Sequence, residues 1–593
     1  MISDGPSLVT QENIANPDLP LPFCLAKRAK RAAVMFGALV FSTCASVFAM
    51  QQDQGAQFGE MDPGQDAICR NCHRDIYDRY RESPMARGSG PALDGVLRGE
   101  FTHAPSGVRY AVFVKDGKVW MSYRRVKQSR FGPDSELSGE RELKYFIGSG
   151  HRGRTYLYQE SGLWFQTPIN YYSKGALWDM APGYGSSPTM PDALPVDPNC
   201  LHCHATSVQS TTSAAKNRFA GPPFMQAGVG CTACHGDGTE HVAKQGRGDI
   251  INPIKLSPKR RDSVCLQCHL EGDAAIYRPG TSLAAFHAGD DISDHVAYFV
   301  KSDGNEGAVR ATSQYEALLR SRCKMASGDK LTCTTCHDAH GSPSASARVS
   351  YYRGRCLSCH TGDGIATKHH PEQQDCTVCH MPRRKTTDVA HEQATEHGIP
   401  KRPAYASSKF MSTADVDKLV PVGNEAAGDR ELGLAYAQLG EHGDRVAAEN
   451  AQRYLQKAEK AGVDDEVLHS QLGLIEQMAG NTQQARKEYN AALEKDPNDP
   501  TALVNLAVMD ASLGQKGDTV QLLQRVIAND PAQMSAGLNL AVVECRLGNW
   551  EKAVSILTEL RRFSPDDPSL RDFGSRTDKR CALPVSQKKE GQR

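Results

Sequence analysis

The apolar and polar positions of this chain follow different patterns in three parts of its length. A largely apolar run without charged residues covers residues 32–49. Between about residues 100 and 175, apolar and polar residues alternate, which is typical of half-buried strands. From residue 425 to residue 570, the sequence instead repeats with a period of 34 residues. These patterns predict a multi-domain chain with a targeting segment, a strand-rich part and a C-terminal part built from repeats.

Residues 1–49 have the layout of an export signal. Four lysines and arginines between positions 27 and 31 precede the apolar run, which ends in Val-Phe-Ala at residues 47–49. This order is typical of a secretory signal peptide, so we expect cleavage after Ala49. The alternative is an uncleaved membrane anchor, because 18 apolar residues lie at the short end of what can span a bilayer. Both interpretations predict a periplasmic or otherwise exported protein, and the second adds membrane association.

Two tight turns predict β-hairpins in the strand-rich part. Asp116-Gly117 separates alternating runs at residues 110–114 and 119–123, and Asp-Gly favours a two-residue hairpin turn. Ser161-Gly162 separates the runs 155–158 and 163–166 in the same way. We therefore predict a small β-hairpin insertion at about residues 100–175.

The C-terminal repeat has the pattern of tetratricopeptide repeats. Gly480, Gly514 and Gly548 are 34 residues apart, and an irregular first copy has its glycine at Gly440. Such repeats stack pairs of helices into a solenoid whose concave face binds a peptide or protein. We predict this all-α fold and this role for residues 425–570. A spacer or a dimerisation element is the alternative.

Charge is balanced over the whole chain but not within the repeats. The chain has 69 basic and 69 acidic residues, whereas residues 425–570 hold 23 acidic and 14 basic ones, a net charge of −9. A ligand of the repeats is therefore expected to be neutral or basic. Residues 401–424 are rich in Pro, Ser and Lys and are predicted to be a linker. The basic tail, residues 571–593, is predicted to be disordered, and nothing in the charge pattern indicates nucleic-acid binding.

The cysteines and histidines carry the chemistry of the chain, because seven copies of C-x-x-C-H occur in it. This motif is the signature of covalent haem attachment, since two thiols bind one haem and the adjacent imidazole binds its iron. A zinc site or a redox dithiol does not require a histidine after every second cysteine. We predict seven haem c groups, at sites 1–7 in chain order. The attachment cysteines are Cys69 and Cys72, Cys200 and Cys203, Cys231 and Cys234, Cys265 and Cys268, Cys333 and Cys336, Cys356 and Cys359, and Cys376 and Cys379.

Each iron also needs protein ligands from one or both sides. The proximal ligands predicted by the motif are His73, His204, His235, His269, His337, His360 and His380. Eleven other histidines precede residue 400, which is enough to give every iron a second ligand. The candidates for distal ligands are His103, His151, His241, His340, His370 and His397. Iron with two histidine ligands has no open position for substrate, so this supply favours electron transfer over catalysis.

Three stretches resemble one known family. They are Cys-Thr-Ala-Cys-His-Gly-Asp-Gly-Thr-Glu-His at residues 231–241, the C-H-x-x-H of residues 336–340, and Cys-Thr-Val-Cys-His-Met-Pro at residues 376–382. They resemble the multihaem cytochromes of the cytochrome c-554 (c-552/4) type, in members that carry a C-terminal tetratricopeptide domain. The resemblance covers residues 60–400. It implies a haem-packed, mostly helical and irregular domain, with His241, His340 and His397 as distal ligands.

The sequence therefore predicts an exported seven-haem cytochrome c that transfers electrons to or from a redox partner protein and docks a partner through its repeats. Two alternatives remain. In the first, the chain is an oxidoreductase that acts on a small nitrogen or sulfur compound at one five-coordinate haem. In the second, it is a tetratricopeptide scaffold in which the haems have a structural role.

Overall fold

The computed structural model describes residues 66–126, 137–211, 215–302, 309–311, 313–362, 364, 369, 372–400, 418–423, 427–440 and 444–583. The predicted signal or anchor segment at residues 1–49, the distal candidate His370 and most of the predicted linker lie outside these residues. Within the described part, no helix combines the length and the apolar character needed to cross a membrane.

The first part of the structure is a pair of short helices followed by an antiparallel sheet of ten strands. The helices are α1 (Asp66–Cys69) and α2 (Arg74–Tyr80). The strands are β1 (Ser89–Pro91), β2 (Gly99–His103), β3 (Val108–Lys115), β4 (Lys118–Arg125), β5 (Ser138–Ile147), β6 (Gly153–Glu160), β7 (Leu163–Gln166), β8 (Ile169–Tyr172), β9 (Leu177–Met180) and β10 (Leu194–Pro195). The main path runs β10-β7-β6-β5-β4-β3-β2, while β1 pairs with β5, and β8 pairs with β6 and β9.

Both predicted hairpins are present in this sheet. Strands β3 and β4 pair through the turn at Asp116-Gly117, where φ is +52° and +70°. Strands β6 and β7 pair through Ser161-Gly162, where φ is +50° and +77°. Two successive positive φ values give a turn whose twist matches that of the flanking strands, which explains the Asp-Gly and Ser-Gly sequences. The sheet is larger than the predicted insertion, because it begins at Ser89 and ends with β10.

The sheet has a core made mostly of its own side chains. Tyr110, Tyr156, Trp164 and Phe165 are all 0% exposed. Along β3 the buried residues alternate with exposed or half-buried ones, which matches the alternation seen in the sequence. This part is therefore packed like an ordinary globular domain.

The middle part of the chain, which contains sites 2–7, consists of short elements. The helices are α3 (Pro198–His202), α4 (Thr232–His235), α5 (Thr239–Ala243), α6 (Pro258–His269), α7 (Tyr315–Arg320), α8 (Arg322–Ser327), α9 (Cys333–Cys336), α10 (Arg348–Leu357) and α11 (Cys376–His380). The strands are β11 (Ala205–Val208), β12 (Phe224–Ala227), β13 (Ala274–Tyr277), β14 (Val296–Lys301), β15 (Arg383–Lys385), β16 (Gln393–Thr395) and β17 (Leu419–Pro421). Among the described residues between 333 and 391, no residue is buried.

Strand β17 corrects the prediction of a linker at residues 401–424. It pairs with β14 and completes a three-stranded sheet with β13. Leu419 is buried, and its N–H donates a hydrogen bond of 3.1 Å to Tyr436 Oη of the first repeat helix. The end of the segment is therefore structural. A strand of three residues is too short to give an alternation that the sequence could reveal.

The C-terminal part has four helix pairs, as expected for the repeats. They are α12 (Asp429–Gly440) with α13 (Arg445–Lys460), α14 (Glu466–Met478) with α15 (Thr482–Lys495), α16 (Pro500–Ser512) with α17 (Lys516–Asn529), and α18 (Met534–Arg546) with α19 (Trp550–Phe563). The glycines of the 34-residue period follow the first helix of pairs two to four, with φ values of +80° to +82°. Glycine adopts this conformation without strain, which explains its recurrence at the turns.

The repeats are attached to the rest of the protein at both ends. At the first end, Arg430 Nη1 donates to the carbonyl of Tyr277 at 3.0 Å, and α12 packs against β13 and β14. At the last end, Arg125 of the sheet forms an ion pair with the fully buried carboxylate of Asp566. Phe563 packs against Phe165 with ring centroids 5.6 Å apart. The repeat region therefore spans two separate parts of the cytochrome region.

The prediction of a disordered tail at residues 571–593 is wrong for its first half. Two short helices, α20 (Pro568–Arg571) and α21 (Phe573–Arg576), follow the last repeat. A disulfide joins Cys581 of the tail to Cys545 of α18, and the Arg580 guanidinium lies 3.7 Å from the Trp550 ring centroid. The disulfide and these contacts order the tail to residue 583, despite its polar composition.

Candidate haem sites

The C-x-x-C-H motifs lie on single helical turns or at helix ends. Site 5 lies on α9, site 7 on α11, and site 4 at the end of α6. At sites 1, 3, 5 and 6 the histidine N–H donates to the carbonyl of the first cysteine of the motif, at 2.9 to 3.0 Å. In a helical turn, residues three and four positions apart lie on the same side. The local fold therefore presents two thiols and one imidazole of each such motif to a common ligand.

The thiols of Cys234 and Cys356 lack the lowered pKa of a redox catalyst. None of the motif cysteines forms a disulfide. Burial raises the pKa of Cys234 to about 12 and that of Cys356 to about 11. A reactive cysteine has a lowered pKa, because the thiolate is the nucleophile. The geometry and the pKa values at these two cysteines do not favour dithiol chemistry.

Four motif histidines face a histidine from outside the motifs. The distances between ring centroids are 6.4 Å for His73 and His241, 5.9 Å for His235 and His340, 6.2 Å for His337 and His397, and 6.0 Å for His380 and His369. Two imidazoles that bind one metal from opposite sides, each at a metal–nitrogen distance of about 2 Å, have centroids about 6 Å apart. Direct aromatic pairing gives similar distances, so the distance alone does not identify a metal site.

Hydrogen bonding separates these two interpretations. One ring in each pair directs its Nδ1 at a backbone carbonyl: His241 at Gly248 (3.1 Å), His235 at Ile251 (2.8 Å), His397 at Thr395 (2.9 Å) and His380 at Pro400 (2.9 Å). A neutral imidazole whose Nδ1 carries the proton keeps the lone pair of Nε2 for a metal. In every pair, one partner is thus oriented as an iron ligand.

Burial keeps several of these rings in the form that binds a metal. It lowers the pKa of His337, of His340 and of His397. At site 2 it lowers the pKa of His204 to about 4. Because only a neutral imidazole can donate its lone pair, these histidines are ready to bind iron at neutral pH. The thiols, the paired imidazoles and their hydrogen bonds together fit haem c.

The six distal candidates have different environments in the structure. His241, His340 and His397 each lie opposite a motif histidine, as the resemblance implied. His151 is exposed in the turn between β5 and β6, and among the described residues no motif histidine contacts its ring. His370 lies outside the described residues.

His103 does not fit the predicted role of a distal ligand. It is buried in the sheet at the end of β2, where its Nδ1 is 2.9 Å from Ser106 Oγ and its Nε2 is 3.0 Å from the carbonyl of Gly185. Both ring nitrogens are occupied, so none is left for iron. The position opposite His73, for which His103 was the nearest candidate in sequence, is taken by His241.

His369, which was not among the predicted distal ligands, lies opposite His380 of site 7. The neighbouring candidate His370 lies outside the described residues, so its role stays a prediction. Two adjacent histidines cannot be distinguished by their spacing from a motif, and no other signal in the sequence marked His369.

Thiols of different sites also lie near one another. The pairs are Cys69 with Cys231, Cys265 with Cys333, Cys356 with Cys376 and Cys203 with Cys268. Cys234 also lies near Cys265, and Cys336 lies near Cys359. The sites therefore form the series 1–3–4–5–6–7, and site 2 joins this series at site 4.

Three family models match parts of the chain. Residues 185–236 match the model described as cytochrome c554 and c-prime, residues 324–364 match the doubled CXXCH motif, and residues 465–509 match the tetratricopeptide repeat. No curated protein matches the chain significantly.

Solved structures with similarity to the chain include three proteins. PilF of Pseudomonas aeruginosa is 22% identical, with 25% of this chain and 68% of that chain covered and a TM-score of 0.23. MamA of Desulfovibrio magneticus RS-1 is 19% identical, with 25% and 84% covered and a TM-score of 0.23. YrrB, a tetratricopeptide repeat protein, is 23% identical, with 22% and 69% covered and a TM-score of 0.20.

The motifs, their geometry and the family matches define a class of protein: a c-type cytochrome that binds haem covalently and transfers electrons. More particularly, the chain is a multihaem cytochrome c with a C-terminal tetratricopeptide region, and its residues 185–236 are similar to cytochrome c554 and c-prime.

Proposed function

We propose that this chain is an exported electron carrier with seven haem c groups, and that its repeats dock a partner protein close to them. The observation that carries the proposal is the proximity of thiols from successive sites. Each thiol would be joined to the rim of its own porphyrin, so neighbouring thiols would bring neighbouring haems side by side. Site 1 and site 7 are the two ends of this series.

The paired histidines support transfer over catalysis at four of the sites. Sites 1, 3, 5 and 7 each have an imidazole on both sides of the position for iron. Iron held from both sides has no position for a substrate, so its oxidation state changes without a change of ligands. The haems at these sites would supply the redox-active iron, and the protein would supply the ligands and the surrounding dielectric.

Two observations support export. The disulfide between Cys545 and Cys581 is typical of oxidising compartments outside the cytoplasm. The segment at residues 1–49 has the sequence of a secretory signal or an anchor. Covalent haem attachment in bacteria also takes place outside the cytoplasm.

The count of haems has a direct test. Seven covalent haems add about 4.3 kDa to the mature chain, on the basis of one haem per motif. Intact-mass measurement under denaturing conditions, after expression with the haem-attachment machinery, should show this increase. Five haems or fewer would contradict the proposal.

The role of the repeats is tested by deleting residues 425–583. If they dock a partner, the deletion should leave the haem spectrum and reduction by dithionite unchanged and should slow electron exchange with the physiological partner. The matched control is Arg125→Ala, which removes the ion pair with Asp566 but leaves the repeats in the chain. Loss of haem insertion in the deletion alone would show that the repeats are required for the cytochrome fold.

A second candidate function, an oxidoreductase acting on a small nitrogen or sulfur compound, is favoured by sites 2 and 6. In the described part of the chain, no second imidazole faces His204 or His360, whereas four other motif histidines have one. An iron with one axial histidine can bind a small molecule. Carbon monoxide binding to the reduced protein, followed by assays with nitrite and hydroxylamine, tests this candidate. Turnover of either compound would replace the carrier proposal.

A further inference from the structure

The surface around sites 6 and 7 is cationic and has few acidic residues. Residues 341–362 contain three arginines and neither Asp nor Glu, and Arg383 and Lys385 follow site 7 directly. We propose that this surface docks an acidic redox protein, which exchanges electrons with the chain through sites 6 and 7. The proposal rests on the electron-transfer function and names the chemistry of the partner.

The cations are available for a partner because no carboxylate of the described residues neutralises them. Arg348, Arg355, Arg383 and Lys385 are all exposed. Among the described residues, no carboxylate lies within ion-pair distance of these four side chains. The neighbouring Arg384 differs, since it pairs with Glu396 at 3.6 Å. Four exposed cations thus belong to the segments that carry or follow sites 6 and 7, whose thiols Cys356 and Cys376 lie near each other.

Helix α10 places Arg348 and Arg355 beside the haem site that it carries. The helix runs from Arg348 to Leu357, and its last turn contains Cys356 of site 6. Cys359 and His360, which complete the site, are also exposed. Short distances between a docked partner and the redox site favour transfer, so an open site beside a charged helix suits this role.

Aromatic side chains give the same surface a rigid centre. The Arg355 guanidinium lies 5.0 Å from the ring centroid of Tyr351, and its Nη2 donates to Tyr351 Oη at 3.2 Å. Tyr351 in turn packs edge-on against Tyr352, with ring centroids 5.2 Å apart. Arginine and tyrosine held in one conformation are the residues that most often contribute binding energy at protein interfaces.

The opposite end of the series has a different electrostatic character. Near site 1, Arg70 and Arg74 both pair with Asp78, Arg87 pairs with Glu82, and Arg79 lies 3.5 Å from Asp338. These four cations share three carboxylates within the protein, so each of them has an acidic partner. The repeats carry a net charge of −9 and would repel an acidic protein. Electrostatic attraction therefore directs an acidic partner to the surface of sites 6 and 7.

The experiment measures electron transfer from a known acidic redox protein. Fully reduced flavodoxin is mixed with the oxidised cytochrome in a stopped-flow instrument at low ionic strength. One electron passes from the reduced flavin to one ferric iron, so the flavin is oxidised and the iron is reduced. Four substitutions, Arg348→Glu, Arg355→Glu, Arg383→Glu and Lys385→Glu, are combined in one variant.

The control variant has the same net charge but changes exposed cations of the repeats. It combines Arg445→Glu, Lys457→Glu, Lys487→Glu and Lys552→Glu. We expect the second-order rate constant to fall about tenfold or more in the first variant and much less in the control. The first variant should also lose most of its dependence on salt, while reduction by dithionite keeps its wild-type rate.

Two results would overturn the proposal. Equal rates for the two variants would show that only net charge matters. Slower reduction by dithionite together with shifted haem potentials would show that the four cations instead neutralise the propionates of the protein's own haems. In either case the low-spin spectrum and the haem count still report on the electron-transfer function, so the two proposals fail separately.

Discussion

The sheet and the stretch of residues 333–391 show two different ways of making a stable fold. The sheet buries large side chains such as Trp164, Phe165 and Tyr110, all 0% exposed. In the second stretch no described residue is buried, although three of the seven motifs lie there. Ordering each residue costs conformational entropy that apolar burial must offset. The sheet therefore has its core largely in its own sequence, whereas the described residues of the second stretch form no buried core of their own.

Preventing haem attachment should have the largest effect and should act on one of the two regions. In Cys333→Ala/Cys336→Ala, we expect backbone amides of residues 333–391 to lose most of their protection, because the apolar centre is removed. Amides of β3–β7 should keep theirs. Hydrogen exchange followed by mass spectrometry measures both regions in one sample. Unchanged protection in residues 333–391 would show that this stretch folds without its cofactor.

A cavity in the sheet should instead destabilise the sheet. Phe165→Ala removes a fully buried ring and should lower the free energy of unfolding of the sheet by about 3–5 kcal/mol. Val349→Ala, on the exposed side of α10, should change the free energy of unfolding by about 0.5 kcal/mol or less. Urea titration monitored by tryptophan fluorescence compares the two variants. Similar losses would contradict the distinction between the regions.

Removal of the disulfide should produce a smaller and local effect. Cys545→Ser/Cys581→Ser should destabilise the last repeat by about 2–4 kcal/mol, because the unfolded tail is no longer constrained. The effect should appear as faster exchange in α18 to α21, with the haem spectrum unchanged. A fall in haem content would instead show that the last repeat supports the haem region through the sheet.

Removal of single distal histidines should change spectra with little change in stability. His340→Ala and His241→Ala should each convert one haem from low to high spin, because each removes one of two imidazoles. His103→Ala is the matched control and should leave the spin state unchanged, since its ring is bonded to Ser106 and Gly185. Electron paramagnetic resonance of the oxidised protein measures all three. A new high-spin signal in His103→Ala would restore the sequence-based prediction.

Local patterns were enough to predict the hairpins and the repeats. Asp116-Gly117 and Gly480 each mark a turn whose conformation few other residues adopt. The attachment sites were equally visible, because covalent attachment requires the two cysteines and the histidine to be close in sequence. Haem c binding and the repeat fold follow from these signals and from the family matches.

Contacts between distant residues were not visible in the sequence. The partner of His73 is 168 positions away at His241, whereas the nearer His103 is held by the sheet. Strand β17 depends on pairing with β14, and the ordered tail depends on a disulfide with a cysteine 36 positions earlier. In each case the deciding interaction forms only when the chain has folded, so spacing alone could not show it.

The attachment of the repeats at both ends has a kinetic consequence. Strand β17 fixes the first repeat beside β14, and the buried Asp566–Arg125 pair fixes the last one on the sheet. A protein held by the repeats would therefore sit at one fixed distance and orientation from the haem series. Electron transfer inside such a complex should follow a single exponential whose rate constant is independent of protein concentration, instead of the spread of rates that a flexible tether produces.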